Sequence, residues 1–450
     1  MIIISVIASL LVYGVAAVLI IKIMSQSGIT LSEKLFWSSE PKTYNTKKGK
    51  VVPERYKAKP DDGKTAWKIF VAAFCFRLFM FGVQLCLSYI LIDFPNIAQL
   101  NEFNGIFAKA LRQFQMWDAS NYYRIAEGGY GSHTENGMFT MLAFFPLQSW
   151  IARYLSIFLG GNIRLALLTV SSLAFSGACA ILYRLLIMDY SDRTAKRAVL
   201  YISIFPFSFF FGTMQAESLL FFTFTMSMYF SRRHMWAAAA AAGFLASMTR
   251  IVGILAIVPA AVEFIEHYKL CGALKDGRIK EVIFLILKKG SVLLTMFLGL
   301  GIYLWLNYYY TGDFFKFMEY QEKVWYHTSC YFGTGIANVF GEMLGCGFVQ
   351  SFAMYVPFVA FLASAFALMI YEVRRARSMY TAFLLIYIVV ITSVTYIPSG
   401  PRYSICAVPF FILLADAADR SRVADCALTI AFAILNIIFF SLYIMRKYVF

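Results

Sequence analysis

Charge is scarce in this sequence. Only 14% of its 450 residues are Asp, Glu, Lys or Arg, against about 25% in soluble globular domains, and 60% are hydrophobic. Histidine is rarer still. The four (His133, His234, His267 and His327) are dispersed, and no metal site is expected of them. Eight cysteines are scattered without a CxxC pair, which signals neither a zinc site nor a disulfide framework. Cys330 and Cys346 fall in one expected loop and could pair. The sequence also lacks a DxD signature for nucleotide-sugars on a soluble domain. Its first 23 residues have neither a basic leader nor a small-residue cleavage site, so a retained span is expected there rather than a cleaved signal peptide.

What remains is apolar and aromatic, with 45 Phe, 28 Tyr and a mean hydropathy of +0.67. These values place the chain among polytopic membrane proteins. The net charge of +15 invites a nucleic-acid reading, but the basic residues lie in short loops between apolar runs. Cytoplasmic-loop bias and anionic headgroups account for that placement, and no nucleic-acid partner is expected.

Crossing the hydrocarbon core takes about 20 apolar residues. Runs of that order occupy 1–23, 68–92, 162–188, 197–213, 216–231, 282–308, 351–371, 379–397, 402–418 and 424–445. Ten Lys/Arg from Lys22 to Lys64 place that segment in the cytoplasm, and its composition predicts poor order. Three units follow: an N-terminal span (1–23), a basic arm (24–67) and a membrane domain (68–450). The loop 93–140 carries Lys109, Arg112 and Arg124 against Asp93, Glu102, Asp118, Glu127 and Glu135, and is read as external.

Parity adds a constraint. Arg184, Arg193, Lys196 and Arg197 mark a cytoplasmic connection, so 141–160 is expected to be re-entrant or interfacial. The basic pair Arg232–Arg233 and the basic loop 269–280 are separated only by 235–265, so two half-helices broken near Thr249–Gly253 are expected. Irregular backbone at membrane depth requires protein or a water-filled cavity around it, so both segments point to a cavity.

Within the external loop, helical spacing puts Asp118 and Tyr122 on one face, next to Trp117. A carboxylate partly desolvated by an aromatic surface is a candidate general base; a solvated amphipathic helix in an aromatic belt is the plainer alternative. Glu217, Arg250, Asp313 and Arg402 lie within or at the ends of apolar runs. Ionisable residues there cost at least ~2.5–3.5 kcal/mol at a helix centre and are read as functional. Ion pairs that merely lock helices are the competing explanation. Arg77, deep in its run, is expected to snorkel to the cytoplasm.

The run Trp117-Asp118…Tyr123…Ile125-Ala126…Gly129-Tyr130…Phe144-Phe145-Pro146 resembles the signature of PIG-V-like mannosyltransferases, the GPI mannosyltransferase II family with its bacterial relatives. Glu217-Ser218-Leu219 is similar to that family's Tyr-x-Glu-Ser segment, with Gln215 in place of Tyr. Thr249-Arg250…Gly253 is similar to its Thr-Arg-Pro-x-Gly segment, with Ile251 in place of Pro. Gly312-Asp313-Phe314, followed by Gln321 and Trp325, and Arg402-Tyr403 with Pro409 match two later segments, the first again without its Pro. The likeness runs from about residue 68 to the end.

The resemblance implies a GT-C-like helical bundle: an all-α polytopic protein whose long first external loop carries amphipathic helices. It implies an inverting transfer of a hexose, typically mannose, from a polyprenyl- or dolichyl-phosphate carrier to a hydroxyl on the outer face. Asp118 matches the acidic catalytic position. Arg250 and Arg402 would hold the carrier phosphate, and Glu217 would orient the acceptor or an arginine. Trp117, Tyr122, Arg124, Asp313 and Tyr403 complete the implied substrate-binding set. No cofactor or metal is demanded, since protein cations can neutralise one leaving phosphate. The expected partners are membrane lipid, the lipid-phosphate sugar, and a glycan, glycolipid or protein acceptor. A bacterial plasma membrane is favoured over the endoplasmic reticulum. Three alternatives stay open. A lipid-linked glycan polymerase or ligase would use a diphosphate-linked donor. A transporter or flippase would show an inverted repeat, which the sequence does not display. In a non-catalytic scaffold Asp118 would be dispensable.

Overall fold

The computed structural model describes residues 1–29, 44–45, 51–52, 62–91 and 111–449. Most of the basic arm and the first part of the expected external loop, 93–110, lie outside the described residues. Helices make up the architecture, and a two-residue antiparallel pairing of Tyr44–Asn45 with Val51–Val52 stands beside them. Among the described residues, six helices are long and apolar enough to cross a membrane: Ile2–Gln26, Gly63–Ser88, Ile163–Leu186, Ile279–Thr311, Phe348–Glu372 and Arg422–Ile444. The chain is an all-α, multi-pass integral membrane protein.

Local chemistry sets where the helices start. Asn162 Oδ1 accepts from the Leu165 amide (3.0 Å) and Ser191 Oγ from the Thr194 amide (3.0 Å), each satisfying an orphan donor of a first turn.

Several expected spans prove shorter. The run 197–213 is a helix, Asp192–Ile204, followed by the short 3-10 turn Ser208–Gly212. Pro206 lacks an N–H and forces Phe205 out of the helical region, to φ −53°, ψ 145°. The run 402–418 divides into Gly400–Ser404 and Val408–Asp419, and 379–397 stops at Ile391. These breaks leave chain ends inside the bundle, where Gln215, Glu217 and Arg402 sit buried.

Both segments that parity marked are irregular. Residues 141–160 hold a 3-10 turn, Thr140–Ala143, and an 11-residue helix, Leu147–Ile157. Residues 235–265 divide into Trp236–Ser247 and Ile257–His267. At 1.5 Å per residue neither half exceeds roughly 18 Å, short of a ~30 Å core. Between them Arg250 is extended (φ −158°, ψ 159°) and Gly253 N donates to Arg250 O (2.8 Å). A Cβ on Gly253 would stand 1.8 Å from Ala246 O, so only glycine lets the chain fold back against the first half-helix. The two irregular segments touch: Leu147 N donates to Met248 O (3.2 Å).

One expectation is corrected. Arg77 does not snorkel. It is 3% exposed, donates to Ser208 O (2.8 Å) and Ser203 O (3.3 Å), and lies 4.1 Å over the Phe175 ring. Those carbonyls are freed where Pro206 interrupts the helix, so the guanidinium finds acceptors inside the bundle and has no need to reach water. Cys330 and Cys346 are both free thiols.

Away from the irregular segments, ion pairs tie the helices at one end. Arg377 Nε lies 2.7 Å from Glu263 Oε1 and Arg232 Nη2 lies 2.8 Å from Asp189 Oδ1. The N-terminal helix joins them through the buried Lys22, whose ammonium donates to Val373 O (2.8 Å) and to Ala376 O.

Candidate active site

Four elements distant in sequence bring their ionisable side chains to one place. Asp118 occupies the position before the helix Ala119–Gly128, and the preceding Trp117 adopts a left-handed backbone (φ 53°) that turns the chain into it. Glu217 opens the helix Glu217–Arg232, Arg250 lies in the gap between the half-helices, and Arg402 lies in the short helix Gly400–Ser404. The site is thus about 24 Å, the length of the 16-residue helix Glu217–Arg232, from the end marked by Arg232.

Arg402 is the hub. Its Nη2 lies 2.6 Å from Asp118 Oδ2, its Nη1 donates to Gln215 Oε1 (2.9 Å), and its Nε is 3.3 Å from Glu217 Oε1. Arg250 Nη1 approaches the same Glu217 oxygen at 2.5 Å. The Tyr403 ring lies beneath both guanidinium carbons, at 5.4 Å from Arg250 and 5.8 Å from Arg402. Such a network is stable in a low-dielectric interior only when most of its polar atoms are matched.

Matching is nevertheless incomplete. The Arg402 and Glu217 side chains are 4% and 2% exposed, while those of Arg250 and Asp118 reach 21% and 25%. Solvent therefore meets Asp118 and Arg250, with Arg402 and Glu217 behind them. Asp118 Oδ1 has no hydrogen-bond partner among the described residues. Deeper in, Glu217 Oε2 and Gln215 Nε2 are buried without partners. A hydroxyl-bearing ligand could donate to Asp118 Oδ1 while the paired Oδ2 holds the carboxylate in place. Two Arg and two carboxylates cancel in charge, so the network itself is neutral.

The other expected residues divide. Tyr122 is buried with its ring 5.5 Å from Phe144, within electrostatic reach of all four charged groups, and burial pushes its phenol above the ordinary value. Trp117 is 37% exposed at the site's edge. Arg124 faces away from the network, with Nη1 3.8 Å from Glu135 Oε1. Asp313 also lies outside: its carboxylate accepts from the Phe315 amide (2.9 Å) in an exposed turn after Gly312 (φ 74°).

Two contributors carried no signal of charge. Gln215, which stands out in sequence only as a replacement for Tyr, is an Arg402 ligand. His327 was invisible among dispersed histidines. It follows the helix Lys316–Trp325, its Nδ1 lies 3.0 Å from Gln321 Oε1, and it is within electrostatic reach of Asp118, Arg402 and Arg250. Burial lowers its pKa, so the neutral imidazole is favoured. Among the described residues no group of three His, Cys, Asp or Glu converges as a metal site would require.

No family model matches the sequence, and no curated protein matches it. Two crystal structures of ArnT from Cupriavidus metallidurans are similar to the chain. The one bound to undecaprenyl phosphate is 16% identical with a TM-score of 0.46, over 71% of this chain and 59% of that one. The apo form is 15% identical with a TM-score of 0.47, over 71% and 57%. The chain thus spans less than two thirds of the length of either ArnT chain.

Proposed function

We propose that the chain is a membrane glycosyltransferase that moves a hexose, mannose in the first instance, from a polyprenyl- or dolichyl-phosphate carrier to a hydroxyl acceptor on the outer face. The observation that carries this reading is a carboxylate with one oxygen fixed by Arg402 and the other open to the site. That is the arrangement a general base needs: orientation without occupation of the accepting atom.

In this reading Asp118 Oδ1 takes the acceptor's hydroxyl proton as its oxygen attacks the anomeric carbon from the side opposite the phosphate. The bond from that carbon to the phosphate oxygen breaks with its electron pair, so the carrier departs as a phosphate monoester and the anomeric centre inverts. Arg250, the more exposed guanidinium, faces the carrier phosphate, since a planar guanidinium matches phosphate geometry and stays charged. Arg402 positions Asp118, and Glu217 positions both arginines. The cations neutralise one leaving phosphate, and the reaction requires no metal. Trp117, Tyr122 and Tyr403 supply the aromatic surround.

The test supplies purified protein in lipid with radiolabelled polyprenyl-phosphate-mannose and a crude membrane-lipid acceptor. Label should leave the carrier for a second product. Full retention, repeated with glucose- and arabinose-linked carriers, would contradict the proposal.

A further inference from the structure

The chain leaves the helix Lys316–Trp325 in an uncommon backbone state. Tyr326 ends that helix in the left-handed region (φ 57°, ψ 28°), where a bulky side chain is disfavoured. Such a conformation persists only where its surroundings impose it. Its effect is to fold the next residue back onto the helix. Tyr326 N donates to Glu322 O (3.2 Å) and His327 N to Gln321 O (3.1 Å), a helix end at which glycine is the usual residue.

Side chains then fix the imidazole. His327 Nδ1 lies 3.0 Å from Gln321 Oε1, and Gln321 Nε2 donates to Ala143 O (3.5 Å) in the irregular segment 141–160. With its amide nitrogen held there, Gln321 presents its carbonyl to His327. Nδ1 therefore carries the proton and Nε2 keeps a lone pair. Downstream, Cys330 N donates to Ser393 O (2.9 Å) and Thr395 N to Thr328 O (2.9 Å). This pairing ties the loop to the segment that leads into Gly400–Ser404 and its Arg402. Nε2 itself has no hydrogen-bond partner among the described residues.

The ring is within electrostatic reach of Asp118, Arg402 and Arg250 together. In the proposed reaction Asp118 receives the acceptor's proton and Arg250 faces the leaving phosphate, with the transferred hexose between them. A group that reaches both faces that hexose rather than the lipid. Phe144, next to Ala143 in sequence, packs T-shaped on Trp325 (5.5 Å) and on Tyr122 (5.5 Å). An aromatic wall thus joins this loop to the site, and a single oriented polar group on such a wall is what fixes a ligand's pose. A neutral imidazole suits the position. It accepts from a hydroxyl without adding a cation beside Asp118, which would weaken that carboxylate as a base.

We infer that His327 Nε2 accepts a hydrogen bond from one hydroxyl of the transferred hexose and so selects the sugar, with Gln321 positioning the ring. The inference rests on the proposed transfer and adds to it the residue that reads the sugar. A histidine that only tied down its loop would, when replaced, cost every sugar alike.

The experiment measures kcat/KM of the purified full-length protein for polyprenyl-phosphate-mannose and for the set of its monodeoxy analogues, with crude membrane lipid as acceptor. Wild type should disfavour one analogue by at least about tenfold, because a site built to bond a hydroxyl is left with an unpaired polar group without it. His327→Phe keeps a ring and removes the lone pair. It should lose activity with mannose and accept that one analogue as readily as mannose. Gln321→Leu leaves the ring but frees its tautomer, and should lose part of the same discrimination; it reads the same effect should His327→Phe fail to fold. Discrimination unchanged in both variants, whatever the absolute loss, would overturn the inference and mark His327 as structural. Wild-type indifference to the whole series would overturn it too, and both results leave the transferase reading standing. Wild-type protein that transfers no sugar from any carrier overturns both.

Discussion

Arg402 Nη2 stands 2.6 Å from Asp118 Oδ2 across 284 residues of sequence, and the same guanidinium reaches Gln215 and Glu217 with its other nitrogens. Two hydrogen bonds and one ion-pair contact on a single planar fork make Arg402 the residue that converts four separate chain segments into a single site. Arg402→Ala leaves Glu217 and Gln215 buried with nothing in its place, and breaking a buried pair this way costs about 3–5 kcal/mol. Arg402→Lys keeps the charge but cannot hold Asp118 and Gln215 in the fixed fork of a guanidinium. We expect the alanine variant to lose thermal stability in detergent. The lysine variant should fold with turnover reduced at least tenfold. Wild-type turnover in the lysine variant would remove the positioning role.

Gly253 tests the broken helix. A Cβ there meets the Ala246 carbonyl at 1.8 Å, so Gly253→Ala must push the two half-helices apart. Overpacking of this kind costs about 1–3 kcal/mol, occasionally more. Because Gly253 N also bonds to Arg250 O, the displacement reaches the Arg250–Glu217 pair. A lowered melting temperature together with reduced turnover is expected; a change in neither would show that the break is not coupled to the site.

His327 gives the pH dependence a sign. Its folded pKa lies below the ordinary ~6.5 because burial disfavours the imidazolium. The unfolded chain therefore takes up the proton first as pH falls, and the contribution of His327 to stability, intact above about pH 6.5, declines below it. Melting temperature followed from pH 7.5 to 5 should fall less steeply for His327→Gln than for wild type. Parallel curves would rule out His327 as the titrating group.

Much of this arrangement is legible from the sequence, for a physical reason. An ionisable side chain in an apolar run stands out because its cost must be offset, and Glu217, Arg250 and Arg402 stand out that way and converge with Asp118. The break between Trp236–Ser247 and Ile257–His267 is legible from charge parity alone. Asp313 has the same signal and fails, because a turn carboxylate that caps an amide looks identical in sequence to a site carboxylate. Arg77 misleads for a related reason: the carbonyls that hold it are freed by Pro206, more than 100 residues away. Gln215 carries no charge to betray it.

Orientation is tested by labelling. With the eight native cysteines replaced, a membrane-impermeant thiol reagent should reach Ser132→Cys, on the exposed stretch after Gly129–Tyr130, from outside. It should miss Asp276→Cys on the basic loop until the membrane is opened. The reverse pattern would put Asp118 on the cytoplasmic side and contradict an outer-face reaction.

The central claim, that Asp118 is the base of a sugar transfer from a lipid-phosphate carrier, is tested most directly by single-turnover release of labelled sugar from polyprenyl-phosphate-mannose, wild type against Asp118→Asn, with carrier binding measured in parallel. Asparagine keeps the side chain's shape and its contact with Arg402 but cannot accept the proton. General-base contributions of about 10²–10⁴-fold set the predicted loss of release, with binding of the carrier within a few-fold of wild type. Release from Asp118→Asn at the wild-type rate, with binding intact, would contradict the account.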